Sequence, residues 1–387
     1  MKKMISLIVM VIIFTTCFGC NNAKKDITDK VYDTNVWPKG IANICRSETG
    51  YYVANEDYIY TVENEVAMAL CNKADCSHTD KNCNAYLNNI QRQTIWYDGS
   101  KLYVVAGDEL RGKYCIYEIA TDGSGSKKVC DLFQATGAKS FGITCNYKDE
   151  YVYYVLDLQT TSDITRGIYS QKLYRLKLGS GAEPELIYEN EDKSISTSFG
   201  RCYFYEDNMY VVVNKRTASG EGNSSVLYQY SIKEDTMEPF LDKFVSYYFV
   251  ADGMLYYTSP DGIYKYSLDK NTDTLFYENP VFCSDMYFDG TYIYLDDSWY
   301  QAMQEEHSDK VNVYILNLNG ELCKTLSLDW GSEVFYGDGE KIVVKNSYSA
   351  QNGSPYGTDK YSFYNKAQIV NGGEEWTSVE IEERTAD

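Results

Sequence analysis

The stretch 255-LYYTSPDGIYKYSLD-269 decides the fold of this chain. Two runs of aromatic and aliphatic residues, Leu255–Thr258 and Ile263–Leu268, flank a turn that contains Pro and Gly. Tyrosine and β-branched residues favour pleated strands, and a turn of this composition favours an antiparallel connection. Tyr247–Ala251 before these runs and Thr274–Glu278 after them have the same character. The segment therefore predicts four antiparallel strands in chain order.

The same phrase recurs along the rest of the chain. From Tyr52 to Val343 the copies follow one another at intervals of about 48 residues, which is the length of a four-stranded propeller blade. We predict an all-β, seven-bladed β-propeller; six or eight blades are the alternatives, because the first and last copies are the least regular. The third strand of each further copy reads Ile59-Tyr60, Ile116-Tyr117, Leu173-Tyr174, Leu227-Tyr228, Val313-Tyr314 and Phe363-Tyr364.

The N-terminus has the features of an export signal. Lys2 and Lys3 precede an apolar run that is too short to span a bilayer, and Gly19-Cys20 follows it. This pattern predicts a lipoprotein signal peptide at 1–19, a lipidated (palmitate-bearing) Cys20, a tether at 20–40 and the propeller at 41–387. Lipidation at Cys17 and a plain signal peptide are the alternatives. We expect the chain on the extracellular face of the cell membrane, held there by its lipid.

Charge and composition exclude several partners. The net charge is −20, and a field of that sign repels phosphate backbones, so we expect no nucleic-acid partner. The chain has only two histidines and lacks the nucleophile-elbow and zinc-protease motifs, so we predict no catalytic residue. Its acidic residues are too numerous for their spacing to identify a catalytic carboxylate pair.

Two resemblances are carried by the repeat and by one cysteine segment. Leu255-Tyr256-Tyr257-Thr258 resembles the YWTD-type propeller repeat, and Asp-Gly-Ser turns such as Asp122-Gly123-Ser124 resemble TolB-type repeats. With Leu70-Cys71-Asn72-Lys73-Ala74-Asp75-Cys76, the chain resembles the uncharacterised propeller lipoproteins of Gram-positive gut bacteria. The resemblance implies a fold and a location, and it implies no reaction.

One connection concentrates metal-ligating side chains. Cys71, Cys76, His78 and Cys83 follow the spacing C-x4-C-x-H-x4-C, and three thiolates with one imidazole suit tetrahedral zinc. In an exported chain a disulfide among the cysteines competes with the metal, and free thiols are the third alternative. We expect at least two of the sulfurs to converge, because a polar loop of this length needs a staple to offset its chain entropy. The only cofactor that the sequence indicates is therefore a structural zinc.

Two further sets of residues are candidates. Cys115 and Cys130 flank the Asp122-Gly123 turn symmetrically, which suggests a cross-strand disulfide, with buried thiols as the alternative. Trp299, Tyr300 and His307 lie in a long connection on the rim that carries the longest loops, where aromatic side chains are suited to bind a ligand or a protein partner.

These observations favour a surface-anchored binding module for a glycan, a peptide or a protein partner. A carboxylate-dependent hydrolase or lyase in the propeller channel and a structural or sensory subunit of an envelope complex are the alternatives. The residues that line the channel mouth would discriminate among the three.

Overall fold

The structure of the protein is a computed structural model that describes residues 43–381, apart from residues 92, 109–111, 136, 160–168, 180, 182, 193, 218, 242, 260, 279–284, 299–308, 347–358 and 374–375. Seven antiparallel sheets follow one another along the chain, and in six of them the strands are hydrogen-bonded strictly in chain order. This confirms the predicted seven-bladed propeller.

The strands of the first four blades are β1 (Ile44–Arg46), β2 (Tyr51–Asn55), β3 (Tyr58–Glu63) and β4 (Val66–Ala69) in blade 1; β5 (Trp96–Tyr97), β6 (Leu102–Asp108), β7 (Lys113–Ile119) and β8 (Ser126–Gln134) in blade 2; β9 (Ser140–Lys148), β10 (Tyr151–Gln159), β11 (Gln171–Lys177) and β12 (Glu185–Tyr188) in blade 3; and β13 (Ser196–Phe199), β14 (Tyr203–Tyr205), β15 (Asn208–Arg216), β16 (Ser224–Ser231) and β17 (Thr236–Leu241) in blade 4. In blade 4 the innermost strand is split, so that β13 and β14 both pair with β15.

The strands of the last three blades are β18 (Tyr248–Ala251), β19 (Met254–Ser259), β20 (Gly262–Ser267) and β21 (Thr272–Tyr277) in blade 5; β22 (Asp285–Phe288), β23 (Ile293–Asp296), β24 (Lys310–Leu316) and β25 (Leu322–Asp329) in blade 6; and β26 (Ser332–Gly337), β27 (Lys341–Asn346), β28 (Asp359–Asn365) and β29 (Trp376–Ile381) in blade 7. One short helix, α1 (Ala367–Asn371), follows β28. In the part of the chain that the structure describes, no helix is long and apolar enough to cross a membrane.

Aromatic rings join neighbouring blades, which explains the high tyrosine content. Trp96 of blade 2 stacks on Tyr147 of blade 3 with ring centroids 4.5 Å apart, and Phe249 of blade 5 stacks on Phe288 of blade 6 at 4.8 Å. Such pairs add a specific contact to the apolar area that they bury. Ring pairs across four further interfaces are Tyr52–Tyr97, Tyr153–Phe204, Tyr203–Tyr248 and Tyr51–Phe363.

The interface between blades 6 and 7 contains a buried ion pair. Lys366 Nζ lies 2.6 Å from Asp289 Oδ2, and both side chains are almost fully buried. The ring closes at the next interface, where the Tyr51 hydroxyl of blade 1 donates to Asp338 of blade 7 at 2.7 Å. Arg46 of blade 1 lies 3.6 Å from the same carboxylate. Side-chain contacts thus close the ring between two blades that are each built from one continuous segment.

Asp-Gly turns join the first and second strands of several blades. In the turn after β22, Asp289 Oδ1 accepts the backbone N–H groups of Thr291 and Tyr292 at 2.9 and 2.8 Å. Asp338 repeats this arrangement in blade 7. Between β18 and β19, Asp252 and Gly253 both have positive φ (48° and 73°), the conformation of a two-residue hairpin turn.

The long connections leave the propeller on a single rim. They join the second strand to the third in blades 3, 4, 6 and 7, and in an antiparallel meander these connections emerge at the same end. Trp299, Tyr300 and His307, predicted to bind a ligand, belong to the connection between β23 and β24 and lie outside the described residues. Cys20 and the rest of the leader also lie outside them.

Candidate functional site

Four side chains of the connection between β4 and β5 converge. The sulfur atoms of Cys71, Cys76 and Cys83 and a ring nitrogen of His78 all lie within 4.8 Å of one another. His78 Nδ1 is 3.5 Å from Cys83 Sγ, and none of the three cysteines forms a disulfide. The structure therefore brings together all four residues that the sequence singled out.

Tight turns place these four side chains. The backbone N–H of Cys76 donates to the carbonyl of Lys73, and the N–H of Cys83 donates to the carbonyl of Asp80. His78 has a φ of 56°, a left-handed conformation that histidine adopts more readily than most residues. Two short turns with a left-handed residue between them fold the polar segment back on itself, so that ligands far apart in sequence meet.

The thiols of Cys71 and Cys83 differ in acidity. Burial alone would raise the pKa of the Cys71 thiol, but nearby backbone amides and the neighbouring thiols lower it below its ordinary value. Burial raises the pKa of Cys83 to about 12. The site is thus a compact group of three sulfur donors and one nitrogen donor.

The cysteine connection fastens blade 1 to blade 2. Gly123, in the turn between β7 and β8, accepts hydrogen bonds at its carbonyl from Asn72 N at 3.0 Å and from Asn84 Nδ2 at 2.9 Å. Gly123 has a φ of 74°, and a Cβ on it would lie 2.9 Å from Asn72 N. On blade 1, Ile59 N donates to the carbonyl of Ala85 at 3.0 Å. A glycine is therefore required where the two blades meet.

The suggested disulfide between Cys115 and Cys130 is wrong. A register shift in the β7–β8 ladder pairs Tyr117 with Lys128 but Ile116 with Cys130, which leaves Val129 as an extra residue. Cys115 is consequently opposite Asp131 and donates to that carboxylate at 3.2 Å. Because adjacent residues of a strand point to opposite faces, the two thiols lie on opposite faces of the sheet. Both are free and buried.

A second site lies at the centre of the ring. A cavity of about 370 Å³ is lined by first strands of four consecutive blades, 3 to 6, which identifies these strands as the innermost ones. Its walls combine aromatic rings with a few polar groups. The residues that line the cavity include Phe199, Arg201, Tyr203, Tyr247, Asp285 and Tyr287.

A bulge directs Arg201 into this cavity. Phe199 pairs with Val213 and Tyr203 pairs with Tyr210, so three residues of the innermost strand face two residues of β15. An extra residue of this kind bends its strand and re-aims a side chain. The bulge is fixed because the Tyr248 hydroxyl donates to the Arg201 carbonyl and accepts the N–H of Val212.

Two polar groups at this cavity lack partners among the described residues. Arg201 Nε and the Tyr203 hydroxyl are both buried, and neither forms a hydrogen bond. Burial lowers the pKa of the Arg201 guanidinium, and the residue as a whole is half-buried. Arg201 is not among the residues predicted from the sequence. Its one signal is Gly200 between the strand residues Phe199 and Tyr203, since a glycine in a strand often marks a bulge.

The carboxylates near the cavity already have interaction partners within the protein. Asp285 and Asp296 face each other across β22 and β23, and the Tyr287 hydroxyl donates to Asp296 at 2.5 Å. Asp296 also accepts a hydrogen bond from Ser298 Oγ. Of the described residues that line the cavity, Asp285 is the only acidic one. The cavity therefore presents one carboxylate and one guanidinium, in contrast to the open pair of carboxylates that glycoside hydrolysis uses.

No protein-family model and no curated protein matches the sequence. Among solved structures, TolB from Acinetobacter baumannii is 12% identical over 88% of this chain and 79% of its own, with a TM-score of 0.44. BamB from Moraxella catarrhalis is 11% identical over 91% and 90%, with a TM-score of 0.39. A puromycin-hydrolysing peptidase of Mycobacterium tuberculosis is 11% identical over 83% of this chain, with a TM-score of 0.48, and this chain spans about half (48%) of its length. Similarities at these TM-scores carry no argument about function.

Proposed function

We propose that this protein is a lipid-anchored binding propeller that recognises a ligand bearing an anionic group, a carboxylate first of all, in its central cavity. The observation that carries the proposal is Arg201, a guanidinium on a strand bulge that faces the cavity and forms no ion pair with the residues that the structure describes. Arg201 is half-buried, and an anionic ligand would supply the charge-assisted hydrogen bonds that its guanidinium does not form with the described residues.

The remaining walls suit a ligand of mixed character. Phe199 and Tyr247 are half-buried and offer ring surface to an apolar body or to the face of a sugar. A cavity that combines aromatic rings with convergent polar groups is the usual form of a small-ligand site.

The proposed location rests on the leader. A diacyl group on Cys20 would supply two chains, which suffice for stable anchoring. The polar segment between Cys20 and β1 would then hold the propeller away from the membrane on its extracellular side. The cavity would be accessible there to a free peptide end or to a glycan.

The binding experiment uses matched probe pairs on the immobilised mature protein. One pair is a set of short peptides with a free or an amidated C terminus; the other is a sugar acid and its neutral sugar. We expect only the charged member of a pair to bind, and which pair binds identifies the ligand class. Arg201→Met should weaken binding by about 10- to 100-fold, because a hydrogen bond to a charged group contributes about 1.5–3 kcal/mol.

Arg216→Met is the matched control, since it removes the same charge from an exposed position at the end of β15. Equal binding of charged and neutral probes, or unchanged affinity of the Arg201 variant, contradicts the proposal. The hydrolase or lyase alternative has one supporting feature, the facing pair Asp285 and Asp296. It requires that a bound probe be converted and that Asp285→Asn abolish the conversion. The envelope-subunit alternative requires a protein partner that stays bound through purification.

A further inference from the structure

We infer that Cys71, Cys76, His78 and Cys83 bind one structural zinc ion that ties blade 1 to blade 2. Around a tetrahedral zinc, Zn–S bonds of about 2.3 Å and Zn–N bonds of about 2.0 Å place sulfur and nitrogen about 3.5 Å apart and two sulfurs about 3.8 Å apart. The 3.5 Å between His78 Nδ1 and Cys83 Sγ and the 4.8 Å limit on all pairs fit this arrangement.

The donor set selects the metal and its role. Thiolate and imidazole ligands suit zinc, whereas calcium and magnesium prefer oxygen. Four protein ligands complete a tetrahedron and leave no position open for water or substrate, which is the pattern of structural zinc sites. The ion would therefore hold the connection together without taking part in chemistry.

The residues beside two of the ligands contact the neighbouring blade. The backbone N–H of Asn72, next to Cys71, donates to the Gly123 carbonyl of blade 2 at 3.0 Å. The side chain of Asn84, next to Cys83, donates to the same carbonyl at 2.9 Å. An ion bound by Cys71 and Cys83 would therefore hold both contacts between the blades in place.

The convergence of all four residues favours metal over a disulfide. A disulfide would use two sulfurs and would leave the third thiol and the imidazole beside it without a bonding role. His78 instead adopts a left-handed backbone conformation that brings its ring to the sulfurs. Its ring nitrogen thereby lies where a fourth ligand to the same ion would be.

The test measures zinc in the mature protein purified without chelator. We expect one zinc per chain by elemental analysis, and a loss of about tenfold or more in Cys83→Ser. The control is Cys323→Ser, since Cys323 is an exposed free cysteine of blade 6 that lies outside the cluster. If Cys83→Ser does not fold, His78→Ala removes one ligand from a less buried position and should lower zinc content in the same direction.

Alkylation separates zinc from a disulfide. The protein is unfolded in chelator without reductant, alkylated and digested. Bound zinc predicts that Cys71, Cys76 and Cys83 are all alkylated, whereas a disulfide would protect two of them and would overturn the proposal. A protein that contains no zinc and takes up none after reduction would also overturn it, as would a Cys83→Ser variant that keeps its full zinc content.

Discussion

Lys366→Met tests the buried ion pair that joins blades 6 and 7. The substitution keeps an apolar side chain of similar length and removes the ammonium group, whose nitrogen lies 5.4 Å from the centre of the Tyr292 ring and also donates to the Asp338 carbonyl. Asp289 would then be a fully buried carboxylate without a counterion, because its partner lies 2.6 Å away in the native protein.

The expected loss of unfolding free energy follows from that burial. Removing one partner of a buried ion pair costs about 3–5 kcal/mol, since an uncompensated charge remains. Asp289 keeps the N–H groups of Thr291 and Tyr292 and the hydroxyl of Tyr294, so we expect about 3 kcal/mol, near the lower end of that range. In urea unfolding, this loss of free energy lowers the midpoint urea concentration by about 1 M if the unfolding free energy falls by about 3 kcal/mol for each molar of urea.

Two further variants make this test decisive. Asp289→Asn combined with Lys366→Met removes both charges and should recover about 1 kcal/mol or more relative to Lys366→Met alone. Lys341→Met breaks a longer and more exposed pair with Glu65, at 3.8 Å, and should cost less than about 0.5 kcal/mol. A loss of less than about 1 kcal/mol of unfolding free energy in Lys366→Met would contradict a stabilising role of the ion pair, as would a double variant that is no more stable than Lys366→Met.

Three other predictions concern the tyrosines, the turn of blade 2 and the anchor. Burial raises the pKa of Tyr103 and of Tyr153 to about 12, so the folded state keeps protons that the unfolded state releases. The contribution of these tyrosines to stability should be complete below about pH 10 and be lost as the pH rises towards 12, as followed by denaturant unfolding; an unfolding free energy that stays flat from pH 10 to pH 11 contradicts this. Gly123→Ala places a side chain at a left-handed position and crowds Asn72, so the protein should unfold at a lower urea concentration. The control is Gly125→Ala, which also lies at a positive φ but meets no neighbouring atom, so it measures the cost of the turn strain without the crowding. Cys20→Ala should move the protein from the membrane fraction to the medium, and an unchanged membrane fraction would rule out lipidation at that residue.

The sequence predicted the parts of the fold that depend on local patterns. The strands of blade 5 begin and end within two residues of their predicted bounds, because alternation of aromatic residues and the Asp252-Gly253 turn act over a few positions. The cysteine connection is similar, since its turns lie within a single loop and bring Cys71 and Cys83 together.

The remaining features depend on residues that are distant in sequence or on strand register. The bulge at Arg201 exists because three residues face two on β15, and no local pattern gives that count. Cys115 and Cys130 are symmetrical about their turn, but the extra residue Val129 shifts the ladder and separates them. A symmetrical spacing predicts a pairing only where the ladder is regular.

The position of a bound ligand is the decisive measurement for the proposed binding site. A crystal structure of the protein with its tightest-binding charged probe would show which atoms the anion contacts. We expect the anionic group to lie about 2.9 Å from the guanidinium of Arg201, with the body of the probe against the rings of Phe199 and Tyr247. A probe bound on the outer strands or on the rim loops, with Arg201 untouched, would contradict it.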